Sequence, residues 1–442
     1  MKNIFILIVL LCCSAPPLYA QDLLYYYNLA QQNDADFKAA EFAYQAALQI
    51  KKQAWSSLLP QVTGSIEYGN INQDVTKSKN FAYQEGKKKY DNRDYSLTLT
   101  QPVINVSSLV RLDQAETEIL SAGIELETSR QDLILRVAEA YLNALAGVIF
   151  TETVEAEKKA VERLYNVINK KFTYGLARKT DLYDAKARLA LVESDYIEAL
   201  NVKADAFEAL KTICNEDVFA VTPLSRNIIM QEPEPNDVNI WQENALKNNL
   251  ELIFFNYKVK IARQEKNKQL AGHIPTVDVV GQYKVESSSG DVLAGGGGNE
   301  IESKDIYVRL NVPLFEGGYT QSKVTEAVAV LNQVIKTRES KRRNTKREIR
   351  SAFLQVQSSI IKSKALLSSL ESQKLAVKAR RKGFEAGLYN LLDVLDAERI
   401  RYIAERDYET ARFDYIFSSL KLKQVVGSLS ADDIRRINNF FQ

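Results

Sequence analysis

A motif written twice, 212 positions apart, constrains this chain more than any other feature. GLARKTDLYDA begins at Gly175 and GLYNLLDVLDA at Gly387, and both read Gly-Leu, four variable residues, Asp, two residues, Asp-Ala. Each copy follows a long stretch without proline. Beyond the first 20 residues the prolines are Pro60, Pro102, Pro223, Pro233, Pro235, Pro275 and Pro313, so none falls between Pro102 and Pro223 or after Pro313. Proline is the strongest helix breaker, and both gaps are filled with strong helix formers: Ala, Leu, Lys, Glu, Arg and Gln. Apolar residues recur there at three- and four-residue spacing, as in Val137, Ala140, Tyr141, Ala144 and Leu145. The matching positions 212 further on are Ile349, Ala352, Phe353, Val356 and Gln357, a copied face but for its last member. This periodicity predicts amphipathic helices packed as coiled coils. A helix from about Asn105 to the Gly175 turn would hold roughly 65–70 residues and extend about 100 Å. Gly175 and Gly387 are then hairpin tips, each followed by a second helix, to about Cys214 and Val426.

Other prolines mark a switch from a period of 3.6 to a period of 2. Pro60 precedes Thr63 to Gly69, and Pro275 precedes Asp278 to Val285, with Val277, Val279, Gly281 and Tyr283 on one side. Tyr95 to Thr100 and Ile306 to Val312 alternate likewise, next to Pro102 and Pro313. These segments predict two strand pairs, joined by polar loops over Asn72 to Arg93 and Glu286 to Lys304. The Gly295 to Gly298 run in the second loop reads as a mobile linker. No Lys-Ser or Lys-Thr follows it, so it is not a phosphate cradle. Alternating strands of this length suit a membrane barrel, but barrels begin at eight strands. Membrane-spanning strands here would therefore have to be shared among copies.

The near-neutral formal charge of +2 argues against a nucleic-acid protein built on phosphate neutralisation. The basic run Lys341 to Arg350 reads as a solvated helix face, interrupted by Glu348 and preceded by Glu339. Lys2, an apolar core from Ile4 to Leu11 and Leu-Tyr-Ala ending at Ala20 have the layout of a secretory leader. Cleavage there would leave Cys214 as the one cysteine and exclude an internal disulfide. No other segment approaches the ~20 apolar residues of a membrane-spanning helix.

The chain divides as a leader over 1–20, a first repeat over 21–215, a linker over 216–239, a second repeat over 240–428 and a tail over 429–442. Each repeat holds an early helix (Leu23 to Leu59, Ile240 to Ile274), a strand pair (about 62–100, about 276–312) and a long helical hairpin. The sequence resembles the TolC family of outer membrane efflux and secretion channels across essentially all of residues 21–442. The resemblance rests on the two-fold repeat, Leu58-Leu59-Pro60-Gln61, Gln101-Pro102-Val103, Val312 to Gly318 and above all Leu-Leu-Asp-Val-Leu-Asp-Ala at Leu391 to Ala397.

The resemblance implies a mainly α protein with a small β part. It implies a homotrimer in the outer membrane: four transmembrane strands per chain would form a twelve-stranded β-barrel, and twelve helices an α-barrel in the periplasm. Such a protein is an exit duct, docked by a periplasmic adaptor (membrane fusion) protein and an ABC- or RND-type inner-membrane transporter. The linker and tail would form an equatorial belt. The resemblance also places roles on residues. Asp393 and Asp396 match the aspartates lining the periplasmic constriction, where clustered carboxylates favour cations. From spacing alone they equally suit a helix start, with acids favoured by the helix dipole. Thr180 and Asp181 match one side of the latch that holds the tip closed. Its other side departs from the family: Phe384 stands where a tyrosine is expected and Tyr389 where an arginine is expected. Phe384 cannot bond Asp181, so the latch must be rewired. Tyr389 could donate to Thr180 or Asp181, and Arg178, Lys179, Arg381 and Lys382 lie near enough in sequence to substitute. Gly175 and Gly387 match the tips that adaptors contact.

His273 is the only histidine, which rules out a histidine-based metal cluster. No G-x-S-x-G, H-E-x-x-H or Walker loop occurs, so neither an enzyme nor a cofactor is expected. Two alternatives stand beside the duct. A periplasmic adaptor usually carries one hairpin in a β-rich chain, and a coiled-coil scaffold would lack a pore.

Overall fold

The computed structural model describes residues 20–79, 85–225, 228–290 and 297–441. The leader (except Ala20) and the first two glycines of the Gly295 run lie outside these residues. Nine helices and four strands follow one another among them. They are α1 (Leu23–Asn33), α2 (Ala35–Ser56), β1 (Gln61–Val75), β2 (Gly86–Ile104), α3 (Val106–Thr173), α4 (Lys179–Cys214), α5 (Val238–Asn248), α6 (Leu250–Ala271), β3 (Thr276–Ser289), β4 (Asn299–Asn311), α7 (Tyr319–Glu385), α8 (Leu391–Val426) and α9 (Ala431–Asn438). The two long helices are as expected, with 68 residues in α3 and 67 in α7.

Three expectations are corrected. The early helices are each broken in two, at Asp34 and Asn249, where the backbone turns extended (ψ 120° and 123°). The Asp34 carboxylate accepts from the Phe37 amide (2.7 Å) and the Asn249 side chain from the Leu252 amide (3.0 Å). Each thus caps a new helix start, a signal hidden inside a continuous helical pattern. The strands are longer than expected, and most of the polar "loops" are strand: β1 runs to Val75, β2 from Gly86, β3 to Ser289 and β4 from Asn299. Polar residues on both faces leave no alternation to read there. β2 also runs through Pro102 to Ile104, because the register shifts between those residues and a bulge accommodates a residue without an N–H. Finally, α3 does contain an 18-residue stretch apolar enough to cross a bilayer, but 61% of that stretch is buried in the protein.

The described residues form two compact units, each drawing on both sequence repeats: one within 43–123 and 254–339, the other within 20–42, 124–253 and 340–441. The first unit carries one antiparallel sheet in the order β1-β2-β3-β4. Register aligns Val62, Leu99, Gly281 and Ile306 across the four strands, then Ile66, Tyr95 and Val285 further along. Side chains alternate between faces, so Leu97, Tyr283, Val279, Val308 and Leu310 share that apolar face. The other face carries Thr63, Ser65, Glu67, Ser96, Asp94, Gln282, Lys284, Glu286 and Asp305. Ile66, Ile306 and Val308 are 75%, 86% and 68% exposed, so no described residue covers the apolar face there. In the same unit α3 meets α6 through polar contacts, the Gln264 amide donating to Asp113 (2.7 Å) and Thr117 (3.0 Å).

The core of the second unit centres on Tyr141, fully buried between the rings of Tyr26 and Phe441. Its hydroxyl donates to the Thr222 carbonyl (2.9 Å), tying the linker to α3. Val137, Ala140, Ala144 and Leu145 are buried with it, as are Ile349, Phe353 and Val356. Gln357, the position where the copied face departs from its pattern, instead donates to Asn236 of the linker (2.9 Å). Arg412, buried on α8, donates to Glu409 and to the Ser225 carbonyl. The Asn438 side chain of α9 accepts from the Leu24 amide (3.0 Å) and donates to Asp22 (2.7 Å), joining tail to start. The α3–α4 hairpin closes on small residues: a Cβ at Gly147 would stand 2.9 Å from the Lys203 Cα, and Thr151 donates to the Ala199 carbonyl (3.1 Å). Of the basic run on α7, Arg342, Arg343, Lys346, Arg347 and Arg350 are exposed while Thr345 and Ile349 face inward, a solvated helix face.

Candidate functional site

The two tips use the same turn. Gly175 and Gly387 adopt φ of +73° and +77°. The Leu176 amide donates to Lys171 (2.8 Å) and the Gly175 amide to Phe172 (2.9 Å); Leu388 and Gly387 repeat this with Gly383 (2.7 Å) and Phe384 (3.0 Å). This double bond at a left-handed glycine is the Schellman stop of a helix. A Cβ at either glycine would meet nothing within 4 Å, so the backbone angle alone requires glycine. Tyr174, Leu176 and Leu388 are 79%, 76% and 79% exposed around these turns.

The helices that follow begin differently. Asn390 caps α8 by accepting from the Asp393 amide (2.8 Å), and the Asp393 carboxylate returns to the Asn390 amide (3.0 Å). Arg178, ahead of α4, makes no side-chain cap. Such a reciprocal box stabilises a helix start by roughly 1 kcal/mol, so the second tip is held more firmly than the first. Asp393 therefore has a structural task within the chain, whereas Asp396 is exposed on the next turn, with no side-chain hydrogen bond or ion pair among the described residues.

No hydrogen bond or ion pair joins Asp181 or Thr180 to the other tip among the described residues. Tyr389 instead folds back so that a Cβ on Gly383 would overlap its ring, with Cε2 at 2.7 Å. Arg381 pairs with Glu398 of α8, and Lys179 lies over the Tyr183 ring (5.7 Å), so neither substitutes at Asp181. What joins the hairpins is apolar: Leu391, Leu395 and Phe384 pack with Val154, Val161, Ile168, Leu164 and Ala185. Phe384, which cannot bond Asp181, packs against this apolar cluster instead.

Two buried glutamates, missed in the sequence, hold ion pairs beside this cluster. Glu157 of α3 pairs with Arg188 of α4, their side chains 10% and 14% exposed. Glu398 pairs with Arg381 and, at 3.5 Å, with Arg401. Burial raises the Glu157 carboxyl above its ordinary value, with Arg188 opposing. A cavity of about 240 Å³ beside Glu157 is also lined by Arg188, Asp195, Arg399, Tyr402 and Arg406. The signal was present in the sequence. Glu157 falls in register with Val154 and Val161, and Arg188 with Ala185 and Val192, so each charge occupies a core position that demands a partner.

With this geometry, the profile of the outer membrane efflux protein family matches residues 26–216 and 241–428, nearly the whole of both repeats. The chain belongs to the outer membrane efflux protein family. Among curated relatives it is 31% identical to outer membrane protein TolC of Vibrio cholerae serotype O1, over 95% of this chain and 94% of the relative. It is 26% identical to alkaline protease secretion protein AprF of Pseudomonas aeruginosa, over 95% and 87%. Among solved structures, the Campylobacter jejuni CmeC outer membrane channel superposes with a TM-score of 0.80 at 17% identity, over 95% of this chain and 90% of that one. As an outer membrane efflux family member the protein resides in the outer membrane and serves export, within a family of channels rather than enzymes.

Proposed function

We propose that three copies of this chain form one gated exit duct through the outer membrane. The sheets supply a twelve-stranded barrel and the long helices a tube in the periplasm, which receives cargo from a periplasmic adaptor and an ABC- or RND-type inner-membrane transporter. The observation that carries this reading is the sheet. Its two outer strands, β1 and β4, each have a partner on one side only. A bilayer does not tolerate an open edge, so a spanning sheet must close, and four strands are too few to close alone. The register supports this reading, because it gives the sheet an apolar face to meet lipid and a polar face to line the lumen.

In this duct Asp396, with Asp393, rings the tip and selects cations, while Thr180, Asp181, Phe384 and Tyr389 lie at the closing seam. Gly175 and Gly387 present the turns to the adaptor. In a planar bilayer the protein is expected to show a small cation-selective conductance, and Asp396→Asn to reduce the cation preference measured from the reversal potential. Asp396 is the cleaner probe because Asp393 also caps its helix. Absence of conductance from folded, membrane-inserted protein would sink the duct; unchanged selectivity would remove Asp396 from the constriction.

The apolar seam gives a second expectation. Phe384→Ala should raise the open fraction markedly, since truncating a half-buried phenylalanine at such a seam removes roughly 2–3 kcal/mol. Tyr389→Phe should leave it nearly unchanged, because the Tyr389 hydroxyl has no hydrogen-bond partner among the described residues. Single-channel recordings showing the reverse order would restore a hydrogen-bonded latch at Tyr389.

A further inference from the structure

The apolar face of the sheet changes chemistry toward its hairpin end. Beyond the row of Ile66 and Tyr95, Tyr68 stands opposite Arg93, whose guanidinium lies 5.7 Å from the Tyr68 ring centroid. Past that row the sheet narrows. Asp91 is the last β2 residue paired with β3, whereas Gly86 to Tyr90 pair with β1 alone. This two-stranded arm reaches about 16 Å further, at ~3.3 Å per residue. The parity that sets Leu97, Tyr95 and Arg93 on the apolar face also sets Asp91, Lys89 and Lys87 there, and Lys88 on the opposite face. Lys87 and Lys89 are exposed, with no ion pair among the described residues. Asp91 accepts from the Asn70 amide (2.8 Å), and Asp74 stands opposite Lys87 in the register. The other hairpin contributes Glu300 and Glu302 to this face, the latter paired with Lys304 (2.7 Å). On this face the cations without an ion pair among the described residues are thus Lys87 and Lys89 of the β1–β2 arm and Arg93 just before it, beside the Tyr68 ring.

We propose that Arg93, Lys89 and Lys87 form a docking rim for the phosphate groups of outer-leaflet lipids, which sets how deeply the barrel sits. The rim continues the bilayer-facing surface past its apolar band to the height where headgroup phosphates lie. Basic residues beside an anionic membrane surface bind it in proportion to their number, and a guanidinium matches phosphate geometry. The inference rests on reading the apolar face as lipid-facing.

The test uses the full chain in bilayer discs of phosphatidylcholine and phosphatidylglycerol. Phosphatidylglycerol retained per chain after mild extraction is measured for the wild type, for Lys87→Ser/Lys89→Ser/Arg93→Ser and for Lys88→Ser. The triple variant is expected to retain several-fold less, and Lys88→Ser the wild-type amount. No loss in the triple variant, or an equal loss with Lys88→Ser, overturns the rim. So does displacement of the lipid by inorganic phosphate but not by chloride at equal ionic strength, which would assign a site for the free ion. Fluorophores on Ile66→Cys and Ser65→Cys, read with a lipid-soluble quencher, separate the two ideas. Quenching at Ile66 alone upholds the lipid-facing surface whatever the rim does. Quenching absent at Ile66 overturns both.

Discussion

Gly427→Ala is expected to abolish or nearly abolish recovery of folded protein. Gly427 ends α8 at φ +84°, with its amide on Gln424 (2.8 Å) and the Ser428 amide on Lys423 (2.9 Å). A Cβ there would overlap the Asn248 carbonyl oxygen and lie 2.8 Å from the carbonyl carbon. Those atoms are backbone at the α5–α6 break, which is itself fixed to α8 by the Asn249 amide donating to Val425 (2.7 Å). No rotamer relieves such an overlap. Left-handed strain of about 1–2 kcal/mol adds to a backbone displacement, and together they exceed about 4 kcal/mol, the range in which single substitutions unfold a domain. Gly175→Ala is the internal control: it carries the same strain at φ +73° with nothing within 4 Å, and should cost only that strain. Gly427→Asn separates the terms further, since Asn215 ends α4 at φ 53°. Equal folded yields for Gly427→Ala and Gly175→Ala would show that the α8 end is free to move.

Asp34→Ala should be the next most damaging change, at about 3 kcal/mol in a urea midpoint measurement. Asp34 is buried, caps α2 and accepts two hydrogen bonds from Arg136 of α3, both 2.9 Å. Removing one partner of a buried pair leaves the other charge poorly compensated, typically at a cost of about 3–5 kcal/mol; the lower end applies because Arg136 reaches solvent and keeps a longer ion pair with Asp36 (3.6 Å). Burial pushes the Asp34 carboxyl up, but the Arg136 bonds and the Phe37 amide outweigh it and hold the group below its ordinary value. A depressed folded pKa means the contribution is fully present above the unfolded value and is lost as pH falls through the folded one. Wild type and Asp34→Ala should therefore differ most near neutrality and converge in strong acid. A gap that persists unchanged at low pH would locate the effect in packing rather than charge.

Much of the fold was legible because repetition doubles every weak signal. Cys214 and Val426 were read as helix ends, and both are. The proline gaps delimit α3 and α7 because nothing else interrupts them. Asp34 and Asn249 were not legible as breaks, since an Asx cap inside a helix-forming sequence competes with the helix only once a neighbouring helix is there to receive it. The strand ends were hidden for a different reason: Lys87 to Lys89 put polar side chains on both faces of the ladder, so no alternation of apolar and polar residue types marks them. At the tips, the departure at Phe384 was visible but the packing around it was not. A phenylalanine's value depends on Leu391, Leu395 and Ile168 arriving beside it, which is a tertiary fact.

The unpaired edges of β1 and β4 also govern how this protein reaches its membrane. A lone chain that has crossed into the periplasm carries two adhesive borders and an apolar sheet face with no lipid against it. Its lifetime in that state should set the yield of correct product. Exposed strand edges pair with whatever strand they meet, so on the proposed three-chain barrel slow assembly favours irregular aggregates over closed rings. Under that proposal, dependence on a holding chaperone should be steep when expression is low, because finding two sister chains takes longest then.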